Sequence, residues 1–249
     1  MSIKDNPNAV EFMTDKGVTV SAIDTDQMRE VDRIAMEETG PNLYQMMENA
    51  GRNLATLSID ILGDRWNDAN ILVMAGFGGN GGGGITAARH LANRNARVTL
   101  SLSSPDRLGE VPSFQYEIFK STSGRVLDLE DIADEDVDLI IDALIGYNLK
   151  GAPRGRILDF VEWANKSNAP VLSLDIPSGV DSTTGETPGE FVNANWTMTL
   201  AFPKIGLSAQ KTGELYLADI GIPVETYNRI NIDYTYPFDS RYVVPLIRK

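Results

Sequence analysis

Cysteine is absent from this chain of 249 residues, and histidine occurs once, as His90. The lack of cysteine excludes disulfide bonds, thiolate metal sites and a cysteine nucleophile, and it agrees with a reducing compartment. A single histidine excludes a zinc site that is built from several imidazoles. Because His90 falls within a helical pattern, we interpret it as a structural or solvent-facing side chain.

Long apolar runs and a surplus of basic residues are also missing. No segment approaches the roughly 20 apolar residues of a membrane-spanning helix, and the start, MSIKDNPNAVEF, has no signal-peptide pattern. With 22 basic against 35 acidic residues, the formal charge of −13 argues against nucleic acid as a partner. We therefore expect a cytoplasmic protein that acts on neither membranes nor nucleic acids.

From residue 70 onward the sequence alternates between short apolar runs and helical patterns. Helical patterns lie near residues 83–94, 113–122 and 155–166, between runs that predict strands. The predicted strands are residues 71–75, 97–102, 138–144, 170–176, 196–202 and 213–219. Such alternation predicts a three-layer α/β/α Rossmann-like sandwich with a mainly parallel central sheet. No linker or repeat divides the chain, so we predict a single domain over residues 1–249.

The N-terminal part precedes this alternation. Residues 1–22 or so are expected to form a loose leader. Thr25 is placed to cap a first helix, which Gly40 and Pro41 end, and Asn42 opens a second helix. The methionines of these two helices can pack into the core or contribute to a homodimer interface. They are Met28, Met36, Met46 and Met47.

A glycine-rich segment, GFGGNGGGG, joins the strand at residues 71–75 to the next helix. Gly76, Gly78 and Gly81 fit the spacing G-x-G-x-x-G, in which backbone N–H groups approach an anion at a helix N-terminus. Further glycines extend into the helix start, each at a cost of roughly 1 kcal/mol relative to alanine. A structural turn rarely needs so many, so we predict a binding loop, with a flexible loop that binds nothing as the alternative.

Two later strands end in polar segments, DALIGYNLKGAPRG from Asp142 and DIPSGVDSTTGE from Asp175. Ligands of parallel sheets lie at the carboxyl ends of strands near a switch in strand order. There Asn80, Asp142 and Ser178 would supply only oxygen atoms, which suit a hard cation. Asp175 is the one obvious acid or base beside the glycine loop. Each segment alone also fits a structural role, either an ion pair of Asp142 or a strand-ending turn at Asp175.

Taken in order, these segments resemble the YjeF N-terminal domain family, the NAD(P)H-hydrate epimerases. The family's G-P-G-N-N-G-G-D-G, A-A-R-H-L, D-A-L-F-G-T-G-L and D-I-P-S-G correspond here to GFGGNGGGG, AARHL, DALIGYNL and DIPSG. LYQMMENAG at residues 43–51, AFPKIGL at 201–207 and GELYLADIGIP at 213–223 extend the resemblance. Several separate motifs in one order, from about Thr25 to Pro223, form a specific signature.

The resemblance implies an enzyme that interconverts the R and S forms of NADHX and NADPHX, nicotinamide cofactors hydrated at C6, so that a separate dehydratase can restore them. It implies a potassium ion bound by Asn80, Asp142 and Ser178, and it matches Asp175 to the family's acidic residue at the hydrated ring, for which we hypothesise the role of general acid and base. It also implies a homodimer. The implied substrate-binding residues are Gly79, Asn80, Gly81, Gly82, Gly83, Gly146, Tyr147, Asn148, Leu149, Lys150, Gly151, Ala152 and Asp175.

Four positions depart from the family pattern. Gly83 replaces the loop Asp and Gly79 its first Asn, while Phe77 replaces Pro and Tyr147 replaces a small hydroxyl residue. The first two changes remove polar ligand contacts, so the alternative is a nucleotide-binding or scaffold protein of this fold that has lost catalysis. A nicotinamide dehydrogenase fits less well, because the second strand ends in serines and Asp106 lies well beyond it.

Overall fold

The computed structural model describes residues 10–132, 137–232 and 234–249. In these residues the chain forms ten strands and seven α-helices. The strands are β1 Glu11–Thr14, β2 Thr19–Ser21, β3 Asn70–Ala75, β4 Arg97–Leu102, β5 Arg125–Val126, β6 Leu139–Ala143, β7 Val171–Leu174, β8 Trp196–Leu200, β9 Glu214–Ala218 and β10 Val243–Arg248. The helices are α1 Thr25–Ile34, α2 Leu43–Leu62, α3 Gly79–Ala92, α4 Glu110–Phe119, α5 Arg156–Lys166, α6 Ala209–Thr212 and α7 Val224–Arg229.

All of these strands join one sheet in the order β2-β1-β10-β9-β8-β7-β6-β3-β4-β5. The run from β9 to β5 is parallel, whereas β10, β1 and β2 add an antiparallel edge. The chain moves outward from β3 to β4 and β5, and then returns to β6 on the other side of β3. Loops that leave β3 and β6 therefore diverge and open a crevice at the carboxyl ends of these strands.

Alternate residues of β3 face opposite layers, as the pleat of a strand requires. Ile71 and Val73 pack towards α3, against residues such as Leu91. Leu72 and Met74 pack on the other face with residues of α5, among them Phe160. Because both faces are covered, β3, β6 and β7 are almost continuously apolar. The predicted α/β/α sandwich with a mainly parallel sheet is confirmed.

The N-cap of α1 is Asp24, not the predicted Thr25. Asp24 Oδ1 accepts a hydrogen bond from the backbone N–H of Gln27 at 2.8 Å, and Gln27 Oε1 accepts one from the N–H of Asp24 at 2.9 Å. This capping box satisfies two N–H groups of the first turn. The Thr25 hydroxyl instead lies 2.5 Å from Ser182 Oγ, which docks α1 onto the loop after β7.

The second helix begins as predicted, with Asn42 as the N-cap of α2. Of the four methionines of α1, its continuation and α2, Met28, Met46 and Met47 are buried within the protein, so they cannot form a surface for a second copy. Met36 is exposed. The homodimer itself stays a prediction.

The predicted loose leader is wrong for residues 11–21. Phe12 of β1 pairs with Arg248 of β10 and is buried, and β2 continues the sheet beyond β1. The sequence pattern did not predict the C-terminal strand β10. Because one edge of β10 pairs with the N-terminal segment, that segment becomes part of the sheet. Residues 1–9 lie outside the described residues. None of the helices in the described ranges is long and apolar enough to span a membrane.

Candidate functional site

A cleft of about 480 Å³ opens where β3, β6, β7 and β8 end. Its floor is formed by the turns that follow these strands, and its roof by α1 and α2. A volume of this size and a largely apolar lining with a few polar groups are typical of small-molecule sites. Its polar or glycine lining residues are Asp32, Gly78, Gly79, Asn80, Gly83, Gly146, Tyr147, Asn148, Asp175 and Lys204.

The glycine turn packs too closely for side chains at two of its positions. A Cβ atom on Gly76 would lie 2.0 Å from the carbonyl oxygen of Leu144, and one on Gly81 would lie 1.8 Å from that of Gly76. Gly79 has open space around its Cβ position. The N-terminus of α3 has no side-chain cap, so its first N–H groups are available to an anion in the cleft.

The surplus glycines of α3 serve helix packing as well as the cleft. A Cβ atom on Gly82 would lie 2.4 Å from Met47 Sδ of α2, and one on Gly84 would lie 2.4 Å from Ala143 Cβ of β6. Gly81 and Gly82 therefore do not line the cleft, although both were predicted to bind substrate. Gly83 does line it, and its Cβ position is 2.8 Å from Leu174 Cδ2.

Asp142 and Ser178 are completely buried beneath the cleft floor. Asp142 Oδ1 accepts hydrogen bonds from Ser178 Oγ at 2.6 Å and from the Leu144 N–H at 3.2 Å. Its Oδ2 accepts from the Ser178 N–H at 2.9 Å and from Ser173 Oγ at 2.8 Å. Burial raises the pKa of Asp142, and these four donors oppose that shift.

No cation of the described residues forms an ion pair with Asp142. Lys150 and Arg154, the partners that an ion pair would have needed, are exposed. Ser178 Oγ also accepts a hydrogen bond from the Ile145 N–H at 2.9 Å. The next residue, Gly146, packs on the side chain of Asn80, so all three predicted cation ligands come from one corner of the site.

Asn80 lines the cleft at the first turn of α3. Its Nδ2 atom is buried and has no hydrogen-bond partner among the described residues. A buried donor without a partner costs about 1–3 kcal/mol, so a ligand that accepts from it would recover that energy.

Asp175 directly follows β7 and lies in the left-handed region, with φ of 68°. Asp tolerates this conformation better than most residues, and the turn is fixed by the hydrogen bond from its N–H to Met198 O at 2.7 Å. Asp175 is 3% exposed and lines the cleft. Its Oδ2 accepts from the Tyr147 N–H at 3.2 Å, and its Oδ1 lies 2.5 Å from Lys204 Nζ.

Lys204 is a site residue that the sequence analysis missed. Its ammonium group is fully buried and also donates to Leu200 O at 2.9 Å and to Thr199 Oγ1 at 3.2 Å. The buried ion pair fixes the carboxylate of Asp175 at the cleft floor. A signal was present, because Lys204 is the one charged residue in the apolar segment AFPKIGL.

Asp32 and the bulky Tyr147 form a second polar contact in the cleft. The phenol of Tyr147 donates to Asp32 Oδ2 at 2.5 Å. Burial raises the pKa of Asp32, and the hydrogen bond from Tyr147 lowers it in part. Burial also raises the pKa of Tyr147 above its ordinary value, and the charge of Asp32 raises it further. Asp32 was also missed, although a carboxylate four residues after Met28 falls on the apolar face of α1.

The loop after β6 enters the predicted site only in part. Gly146, Tyr147 and Asn148 line the cleft, and Asn148 Oδ1 accepts from Arg29 Nε at 2.9 Å. The chain then turns outward through Gly151, which has φ of 73°. The four predicted substrate-binding residues that follow Asn148 therefore lie outside the cleft lining: Leu149, Lys150, Gly151 and Ala152.

These features define a Rossmann-like α/β protein, in which an uncapped helix N-terminus follows a glycine turn at the switch in strand order. The particular family follows from comparison with known sequences. Residues 43–206 match the family described as YjeF-related protein N-terminus. The chain belongs to this family, as its motifs predicted.

Relatives of three kinds are found. The NAD(P)H-hydrate epimerase of Dehalogenimonas lykanthroporepellens is 48% identical over 96% of this chain and 98% of its own length. The bifunctional NAD(P)H-hydrate repair enzyme Nnr of Moorella thermoacetica is 36% identical over 79% of this chain but 40% of its own. The enhancer of mRNA-decapping protein 3 of Gallus gallus is 30% identical over 95% of this chain and 47% of its own length.

Among solved structures, yeast YNL200c superposes with a TM-score of 0.78 and covers 90% of this chain and 99% of its own. At 22% sequence identity, this similarity shows a shared fold and nothing further.

Proposed function

We propose that this protein is an NAD(P)H-hydrate epimerase, which interconverts the R and S forms of NADHX and NADPHX. The observation that carries the proposal is the carboxylate of Asp175, held at the floor of an apolar cleft beside the uncapped N-terminus of α3. The expected class of enzyme, an isomerase, is supported by relatives of nearly full length that are named epimerases.

Asp175 acts as general acid and then as general base. It gives a proton to the C6 hydroxyl, the C6–O bond breaks, and the lone pair of the ring nitrogen forms a C=N bond. Water then adds to C6 from the other face, the electron pair returns to nitrogen, and the carboxylate of Asp175 accepts the proton that the water loses. Lys204 and the Tyr147 N–H hold the carboxylate in place during both steps.

The substrate's phosphates lie at the N-terminus of α3, where the free N–H groups and the helix dipole favour an anion. Asn80 Nδ2 adds a donor there. The apolar residues of the roof, Met28, Met46 and Met47, exclude water from the ring.

A potassium ion fits the residues beneath the floor. Asn80, Asp142 and Ser178 supply oxygen atoms, and the fully buried charge of Asp142 has no cation partner among the described residues. These three residues would hold the ion, which supplies a positive charge that offsets the buried carboxylate. The side chains then fix the turns after β6 and β7 on which the cleft depends.

Potassium should raise the thermal stability of the protein. At a concentration about tenfold above its dissociation constant, a bound ion contributes about 1.4 kcal/mol, or about 3–5 °C in Tm. We expect this shift in potassium chloride relative to choline chloride at equal ionic strength, measured by differential scanning calorimetry. Asp142→Asn should abolish the shift, whereas Asp138→Asn, at the opposite end of β6, should retain it. An equal shift in both variants would contradict the ion site.

The enzymatic activity is tested with R-NADHX and a dehydratase specific for the S form. Wild-type protein should accelerate the recovery of NADH well above spontaneous epimerisation, as followed by absorbance at the NADH band. No acceleration by the wild type, together with activity in Gly83→Asp, would instead identify a binding protein that has lost catalysis. The variant can be accommodated, because the new Cβ atom meets the flexible end of Leu174.

The proposal requires a dehydratase to complete repair. The chain matches about two fifths of the length of the bifunctional Nnr relatives, and we propose that a separate protein performs the dehydration.

A further inference from the structure

A second carboxylate, that of Asp32, faces the cleft in which Asp175 lies. One residue touches both groups, because the Tyr147 N–H donates to Asp175 Oδ2 at 3.2 Å while its phenol donates to Asp32 Oδ2 at 2.5 Å. The two carboxylates are thus set at the two ends of a single tyrosine.

The two groups enter the cleft from different sides. Asp175 belongs to the floor, at the end of β7. Asp32 belongs to the roof, since α1 is docked across the strand ends by the contact of Thr25 with Ser182 and by the burial of Met28 and Val31. A planar ring bound in the cleft would lie between floor and roof, with one carboxylate towards each of its faces.

Inversion at C6 places a chemical demand on both faces of the ring. The hydroxyl that leaves from one face needs a proton, and the water that adds to the opposite face must lose one. With Asp175 alone, one carboxylate on the floor serves both steps, and the proton of the incoming water has to reach it from the opposite side of the ring. The transition state for water addition is stabilised when a base lies on the side from which water arrives.

We propose that Asp32 is the second general acid and base of the epimerisation, acting on the ring face opposite Asp175, with Tyr147 as the residue that positions it. The proposal rests on the proposed function. In one direction Asp175 gives a proton, the C6–O bond breaks and water departs. A new water then forms the C6–O bond from the opposite face, the electron pair returns to nitrogen, and Asp32, in place of Asp175, takes the proton. After this turnover Asp175 is ionised and Asp32 is protonated. These are the protonation states that the reverse reaction requires, since Asp32 is then the acid and Asp175 the base.

The charged and titratable groups around Asp32 come from four elements. They are Tyr147 after β6, Asp175 after β7, Lys204 after β8 and Tyr227 of α7. Burial raises the pKa of Asp32 and the charge of Asp175 adds to that effect, while the phenol of Tyr147 and the charge of Lys204 oppose it. A raised pKa suits a carboxyl group that must both bind and release a proton.

Tyr147 is suited to this positioning because its length spans the gap between the loop after β6 and helix α1. The small hydroxyl residue that is usual at this position of the family motif is too short to make the same contact from the same backbone position.

The experiment compares kcat and KM of the wild type, Asp32→Asn, Tyr147→Phe and Glu30→Gln between pH 5 and 9. Asp32→Asn should lower kcat about 100-fold with KM changed less than about threefold, and it should remove one limb of the pH profile of kcat. Tyr147→Phe removes a donor that favours the ionised carboxylate, so the pKa of Asp32 rises and that limb moves to higher pH by about one unit.

Glu30→Gln is the matched control, since Glu30 lies on the same helix, has a side chain that is 44% exposed and pairs with Arg33. It should leave kcat and the pH profile unchanged. Retention of kcat within threefold and of both limbs in Asp32→Asn would overturn the proposal. If Asp32→Asn does not fold, Tyr147→Phe decides, and an unmoved limb overturns it. An inactive wild type would refute the proposed function itself, which distinguishes the two failures.

Discussion

Asp175→Asn should lower kcat for epimerisation by about 10³-fold. General acid–base catalysis by a positioned group contributes roughly 10²–10⁴-fold, and the amide can neither give nor take the proton that the C6 hydroxyl requires. The amide is nearly the same size as the carboxylate, so the shape of the cleft is retained. We expect KM to change little. The coupled assay with R-NADHX and an S-specific dehydratase measures the loss.

Stability has to be followed in the same variant, because Lys204 would lose the carboxylate that balances its buried charge. Removal of one partner of a buried ion pair costs about 3–5 kcal/mol. Asp138→Asn is the matched control, since Asp138 accepts from the Asn70 N–H at 2.8 Å at the far end of the sheet. Full epimerisation by folded Asp175→Asn would refute the assigned role of Asp175.

Gly81→Ala should destabilise the fold by about 4 kcal/mol, which is beyond the usual range for a single substitution. The new methyl group would lie 1.8 Å from Gly76 O, and this backbone cannot retreat because a Cβ position on Gly76 itself is 2.0 Å from Leu144 O. The turn and helix α3 must therefore separate. For a chain of this size we expect a fall in Tm of about 10 °C, measured by calorimetry.

Gly79→Ala provides the control for this comparison. It makes the same substitution two residues earlier in α3, where nothing lies within 4 Å of the Cβ position. Alanine is the better helix former, so stability should stay the same or rise by up to about 1 kcal/mol. Equal Tm values for the two variants would contradict the view that close packing makes glycine necessary at position 81.

The parallel half of the sheet was predictable because its strands are buried on both faces. Their apolar runs were recognised in β3, β4, β6, β7, β8 and β9, with ends within two residues of the observed ones. The antiparallel strands β1, β2 and β10 were not recognised, and neither was β5, which forms the other edge of the sheet. These strands are short or only half buried, and β1 and β10 pair with each other from opposite ends of the chain.

The site was predictable where a motif carries its own geometry. Gly79, Asn80 and Gly83 line the cleft from the start of α3, directly after the turn that follows β3, and Asp175 lines it directly after β7. Lys204 and Asp32 could not be assigned in this way. Asp32 lies in α1 and Lys204 in the loop after β8, and neither segment has a local binding pattern. Each residue contacts its partners only when these segments fold over the strand ends.

The sequence by itself determined the α/β class, the family and the order of the three polar strand ends, because apolar periodicity and turn chemistry are local properties. The tertiary structure decided which of those polar residues share a cleft. It separated Gly81 and Gly82, whose hydrogens face packed backbone and side chains, from Gly79 and Gly83, which face the cleft. It also paired Asp175 with Lys204 and Asp32 with Tyr147, since contacts between residues 29 and 115 positions apart depend on how the layers pack.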